Sequence, residues 1–220
     1  VTVMASTQNN EVLKLTPEAK EIIGGASIIR EGLPVNTFYL PKFAGVDPAT
    51  GAALYWAYDT DDKGNITNEY ITSDTGKATS SRYLMGSRIP DLFGSIGTNL
   101  QWKGIDFSIL TTYSIGGKVL DYIYAGAMNP FYYGQTYHSH LTRAWQKPGD
   151  ITDVPRVEVG TSSITSDRFL VDASYFAIKN ITIGYTIPQK AASYIGMKHV
   201  RVYCSMDNLA LFTHLKGMNP

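Results

Sequence analysis

The chain has 220 residues, and its 19 Lys and Arg are balanced by 19 Asp and Glu, which gives a formal net charge of zero. That excludes a nucleic-acid binder working through a clustered excess of cations, and the single cysteine, Cys204, excludes an intrachain disulfide or a multi-cysteine zinc site. Charged residues reach only 17%, against roughly 25% in ordinary soluble domains, and 20 Gly and 15 Tyr help fill the deficit, a composition of strands and turns.

Residues 1–7 alternate weakly, as a strand does. Thr16-Pro17 followed by Gly24-Gly25 predicts a short helix or helical turn over Pro17–Ile23. An extended pattern resumes at 36–45, where Pro41 marks an edge or a bulge. A hairpin follows, from Ala53–Tyr58 to Asn65–Thr72, across the turn Asp61-Asp62-Lys63-Gly64.

The strongest alternation lies at 95–115. Ile96, Thr98, Leu100 and Trp102 share one face opposite Ser95, Gly97, Asn99 and Gln101. After the compact turn Lys103-Gly104, Ile105, Phe107, Ile109, Thr111 and Tyr113 alternate with Asp106, Ser108, Leu110 and Thr112. Runs of about ten residues match a tilted strand crossing a bilayer and exceed the usual five or six of a soluble sandwich. Trp102 and Tyr113 end the apolar faces where an interfacial aromatic girdle would lie. Ile96, Leu100, Trp102, Ile105, Phe107, Ile109 and Tyr113 are therefore the candidate lipid-facing residues.

Residues 116–170 break this pattern and read as one long connection, with a possible short helix over Lys118–Met128. Tyr132, Tyr133, Tyr137, His138 and Trp145 cluster there as candidate ligand or partner contacts. Tyrosines offer an apolar face with a hydrogen-bonding tip, which suits gripping a sugar or a peptide, or packing the loop on itself. Two further strands follow, Tyr175–Thr186 and His199–Phe212, separated by a helical cap between Pro188 and Gly196.

Chemical constellations are sparse. Asp59–Gly64 opens like a calcium loop, but Lys63 and Tyr70 stand where ligands belong, so it is read as a hairpin turn. His138 and His140 are two apart with no third ligand at hand and are read as exposed loop histidines. Asp150 and Asp153 suit capping better than a glycosidase pair. Cys204 is read as a small packed apolar residue. No catalytic motif occurs and no cofactor is expected.

Several short motifs in order carry a resemblance. They are Gly45-Val46-Asp47-Pro48-Ala49-Thr50-Gly51, Tyr113-Ser114-Ile115-Gly116-Gly117-Lys118, Trp145-Gln146-Lys147-Pro148-Gly149-Asp150 and Thr152-Asp153-Val154-Pro155-Arg156. The run from Asp172 to Tyr185, the run from Arg201 to Leu209, and Lys216-Gly217-Met218-Asn219-Pro220 complete the set. This pattern resembles the SusC/RagA family of TonB-dependent outer-membrane transporters. The resemblance implies an all-β, antiparallel transmembrane segment of about eight strands from a barrel of about 22, with long extracellular loops, 116–170 among them, and short periplasmic turns. It implies that the plug domain, the TonB-interacting segment and the final strand lie outside residues 1–220, so that the chain is part of a longer protein. It further implies outer-membrane import of an oligosaccharide or peptide, with a SusD-like surface lipoprotein and TonB as partners and outer-membrane lipid around the wall. The rival reading from composition is a soluble β-sandwich that binds carbohydrate.

Overall fold

A computed structural model describes residues 1–131, 133–159 and 164–214. Tyr132 and the stretch Lys216–Pro220, both singled out above, lie outside the described residues. Thirteen strands and three short helices are described. In chain order the first strands are β1 (Thr2–Ser6), β2 (Glu21–Gly24), β3 (Ser27–Arg30), β4 (Thr37–Val46), β5 (Ala53–Thr60) and β6 (Ile66–Thr72). Helix α1 (Thr75–Ser80) and the strands β7 (Arg82–Leu84), β8 (Leu92–Trp102), β9 (Ile105–Ile115) and β10 (Lys118–Leu120) come next. The chain ends with α2 (Tyr122–Ala127), β11 (Leu170–Asp172), β12 (Tyr175–Ile187), α3 (Gln189–Ser193) and β13 (Val200–Thr213). The fold is all-β, with antiparallel pairing throughout the two large sheets.

Two compact units share the chain. One comprises Val1–Asn9, Ile89–Lys118 and the residues from Asp172 on; the other comprises Asn10–Arg88 and Val119–Val171. The first unit is a five-stranded sheet in the order β1-β8-β9-β12-β13. Its hairpin β8–β9 turns on Lys103 and Gly104, both at positive φ (47° and 86°), the backbone that a two-residue type I′ turn needs to match strand twist. The alternation read from the sequence sets the register here: Trp102 faces Ile105, Leu100 faces Phe107 and Thr98 faces Ile109. A bulge between Ile178 and Asn180 shifts the phase of β12 by one residue. Phe176 and Ile178 before it, and Ile181, Ile183 and Tyr185 after it, thereby join one face.

In this sheet the chain leaves β1, β9 and β13 and enters β8 and β12 at the same end, as the pairings Ser6–Phe93, Leu92–Ile115 and Tyr175–Thr213 show. The other end carries only the two-residue turn and the short connector with α3. Long excursions at one end and short turns at the other are therefore built into the sheet.

The second unit builds a sheet in the order β2-β3-β4-β5-β6, with β7 paired to β4. The helix expected over Pro17–Ile23 is absent: β-branched Ile22 and Ile23 pair with Ile29 and Ile28 across a hairpin. Gly25, at φ +57°, makes its turn, so the glycine pair bends a strand rather than ending a helix. The core of this unit joins Ala26, Phe38 and Leu40 to Leu120, Met128, Ala144, Val154 and Phe169. The segment expected as one long connection thus supplies more than half of a packed core. Lys118–Leu120 is strand rather than helix, and α2 begins only after Asp121, whose carboxylate accepts the Tyr124 N–H. The expected wall of about eight strands is accordingly five strands here, with the strands of 36–72 in a separate sheet.

Candidate functional site

Register sorts the five-stranded sheet into two faces of opposite chemistry. On one face lie Leu100, Phe107, Ile183 and Cys204 in a row, then Thr98, Ile109, Ile181 and Met206, then Val3, Ile96, Thr111, Ile178 and Ala210. Aromatics close this face at both ends. Trp102 and Tyr185 stand in the row of Ile105 and Val202, and Tyr113, Phe176 and Phe212 in the row of Gly94. Trp102 is 68% exposed, Leu100 56% and Phe212 62%. All seven candidate lipid-facing residues share this face, with Ile96 and Ile105 exposed and Phe107, Ile109 and Tyr113 half-buried. Cys204 lies on it and is exposed, which corrects its reading as a packed residue. Its neighbours on the face are apolar, but no second layer covers it among the described residues.

The opposite face is a hydrogen-bonded polar surface. The Arg201 guanidinium donates to Asp106 through Nε at 3.0 Å and Nη2 at 2.5 Å. Gly184 lies between their strands, and a Cβ there would come within 2.5 Å of Asp106 Oδ1. Bare backbone at Gly184 is what lets the pair reach across β12. Asn180 Nδ2 donates to Asp207 Oδ1 at 2.7 Å and to Ser205 Oγ at 3.1 Å. The Thr182 and Ser205 hydroxyls are 2.8 Å apart. Phe93, Leu110 and Leu211 interrupt this face without breaking its polar centre.

In the second unit, three of the short sequence motifs, Gly45–Gly51, Trp145–Asp150 and Thr152–Arg156, converge. The Pro48 carbonyl accepts the Trp145 Nε1–H at 2.9 Å and the Gly149 N–H at 2.8 Å. The Gly51 carbonyl accepts the Arg156 N–H at 2.9 Å. Asp47 folds its own turn by accepting from the Thr50 hydroxyl and the Ala49 N–H, bonds that hold its carboxyl below the usual range. Asp150 accepts from the Gln146 and Lys147 N–H groups, and Asp153 pairs with Arg143 at 3.3 Å. Asp150 therefore caps, as its turn-rich setting predicted, whereas Asp153 makes an ion pair. Trp145 is a strut that clamps the Asp47–Gly51 turn; its contact 97 residues upstream gives no local signal in the sequence.

Of the other loop candidates, Tyr133, Tyr137 and His138 line a shallow groove of about 550 Å³ with Leu141, Val157 and Val159. Tyr133 is 93% exposed, and Val157 and Val159 are exposed beside it. His138 is half-buried rather than exposed: its Nδ1 accepts the His140 N–H, and the two rings lie 4.2 Å apart. Tyr124 packs edge-on against both rings and bonds His140 Nδ1 at 2.8 Å. No group of three metal-ligating side chains occurs among the described residues. A second cavity, of about 300 Å³, is lined by Tyr55, Met128, Leu141, Val154, Arg156 and Arg168 among others. Burial pushes the Tyr55 hydroxyl up to about 12, so it stays a neutral donor.

No protein-family model matches the chain. A TonB-dependent receptor of Formosa agariphila is 30% identical over 202 residues, 88% of this chain and 19% of that receptor. The TonB-dependent receptor SusC of Bacteroides thetaiotaomicron is 24% identical over 168 residues, 73% of this chain and 16% of SusC. Among solved structures, the RagAB peptide transporter superposes with a TM-score of 0.76 and 25% identity over 94% of this chain and 23% of its own. The chain thus spans about a fifth of the length of the relatives it matches. An apolar sheet face closed by aromatics at both ends, a polar opposite face and these likenesses agree: the chain belongs with the SusC/RagA-like TonB-dependent receptors.

Proposed function

We propose that this chain forms the C-terminal part of the barrel wall of an outer-membrane nutrient importer. The carrying observation is the division of the five-stranded sheet into an apolar face bounded by aromatics and a hydrogen-bonded polar face. Strand β9 has eleven residues, about 36 Å at roughly 3.3 Å per residue; tilted by about 45°, it projects roughly 25 Å, the height of an outer-membrane apolar band. A soluble sandwich would bury that face against a second sheet about 10 Å away, whereas Leu100, Trp102 and Val202 stay exposed. In the proposed setting lipid covers the apolar face and the polar face lines the lumen. The outer strands β1 and β13 pair with further strands of a barrel of about 22, since a bilayer tolerates no open edge.

The long excursions leave one end of the sheet, and this end faces the cell exterior, so segment 116–170 belongs to the extracellular side. There Tyr133, Tyr137 and His138, which line one groove, contribute to capture of a glycan or peptide or to docking of a SusD-like lipoprotein, while Trp145 holds the Asp47–Gly51 turn. Energy comes from TonB through parts of the receptor beyond these residues. The role is binding and passage, with no bond made or broken.

The test uses the full-length receptor. Ile109→Arg places a charge on the proposed lipid face, at a cost of about 2–4 kcal/mol near the midplane, whereas Ser108→Arg enters the lumen. We expect Ile109→Arg to lose outer-membrane abundance and heat-modifiable gel mobility while Ser108→Arg retains both. Normal assembly of Ile109→Arg together with failure of Ser108→Arg would overturn the assignment of faces.

A further inference from the structure

We infer that the cavity beside Arg168 is a binding site for a carboxylate attached to a short apolar body. The cavity is lined by residues of one unit of the chain and has a volume of about 300 Å³, the small end of ligand pockets, which run roughly 300–1,000 Å³. It therefore fits an end group rather than a whole oligomer. Met128 and Val154, both buried, and half-buried Leu141 give it an apolar floor, and the ring of Tyr55 forms a wall. Ser73 and Thr75, both exposed, lie at its rim.

The charge in this cavity is unbalanced. Arg156 is matched by Glu158 at 3.1 Å. Arg168 is not: among the described residues no ion pair or hydrogen bond is made by its guanidinium. It lies instead 5.3 Å over the rings of Phe43 and of Phe169, and burial pulls its pKa down from the ordinary value. The nearby carboxylates are engaged elsewhere, Asp153 with Arg143 and Asp167 with the Phe43 N–H. A guanidinium stays charged at any physiological pH and carries five N–H donors in a planar fork. Held half-buried between two aromatic faces, with none of those donors matched among the described residues, it is prepared for a two-pronged bond to a carboxylate. Tyr55, neutral throughout, adds a hydroxyl to the wall. The apolar floor then takes the group that bears the carboxylate, so a bare inorganic anion is a poor fit.

Both the last residue of a peptide and an acidic sugar carry such a carboxylate; only the former brings an apolar body. The inference deepens the import reading and rests on it for the origin of the ligand. Its test needs no transport, so the two fail separately. Full-length receptor in detergent is titrated with N-acetylleucine, its carboxamide and glucuronate, with binding read by saturation-transfer NMR and calorimetry. We expect N-acetylleucine to bind, and the carboxamide to bind at least about tenfold more weakly, the scale of one charge-assisted hydrogen bond. Arg168→Met should cause a comparable loss, and Arg168→Lys a smaller one. Ser73→Trp, which blocks the rim from an exposed position, should abolish binding without touching the core. It serves as the second variant if Arg168→Met lowers receptor abundance. Preference for glucuronate would assign the site to acidic sugars and overturn the apolar-body requirement. Equal binding of acid and amide, binding unaffected by Ser73→Trp, or no binding at millimolar concentration would overturn the site.

Discussion

Gly51 has φ +73°, and a Cβ there would lie 2.5 Å from two carbons of the Trp145 ring. The residue is needed twice, for its backbone and for the space the indole occupies. Gly51→Ala should therefore combine left-handed strain of about 1–3 kcal/mol with displacement of the ring. We expect faster amide exchange across Trp145–Arg156 in the full-length receptor. Trp145→Phe keeps a ring and loses only the bond to Pro48, about 1 kcal/mol, so its effect should be smaller. Unchanged protection in Gly51→Ala would show that the clamp contributes nothing. Trp145 stood out in the sequence as an aromatic in a loop, a candidate for ligand contact, because its partner lies far upstream. Arg168 gives no signal at all: what distinguishes it is that no carboxylate among the described residues bonds its guanidinium, which no spacing of residues records.

At the scale of elements, the legible parts are those with local causes. The β8–β9 hairpin follows from strict alternation on both sides of Lys103-Gly104, and its register came out as the alternation requires. β12 was legible as a strand, while its bulge, which rephases the face at Asn180, was not. Ahead of the β2–β3 hairpin, Thr16-Pro17 imitates a helix start, and two isoleucines facing two isoleucines outweigh it. Segment 116–170 was hardest. Its buried residues Met128, Ala144, Val154 and Phe169 come from helical turns and irregular chain with no period, so nothing in the order of residues marks them as core. Its groove tyrosines, Tyr133 exposed and Tyr137 half-buried, are a different matter. Tyr133 and Tyr137 line the groove with Val157 and Val159, and an aromatic central to a binding surface commonly contributes about 1–2 kcal/mol. The double variant Tyr133→Ala, Tyr137→Ala should assemble normally and support slower growth on the cognate nutrient. Wild-type growth at wild-type surface abundance, with the lipoprotein partner still held, would reduce these tyrosines to loop packing.

For the whole molecule, the sequence conveyed the all-β class and the two-faced strands but not their partition. Strands at 36–72 read as extended, as those at 95–115 do, yet they pack into a core with segment 116–170, while the five strands of the other unit leave a large apolar face uncovered. That contrast gives the account its central claim, that lipid covers the exposed face. Adjacent positions on β13 test it directly, because Cys204 lies on the apolar face beside Ile183 and Ser205 on the polar face beside Thr182. In a full-length receptor with no other cysteine, a fluorophore is attached at Cys204, or at Ser205→Cys in a Cys204→Ser background, and the protein is reconstituted in bilayers. The account predicts that brominated lipid quenches the probe at 204 and leaves that at 205 to aqueous iodide; quenching by lipid at 205 and by iodide at 204 would contradict it.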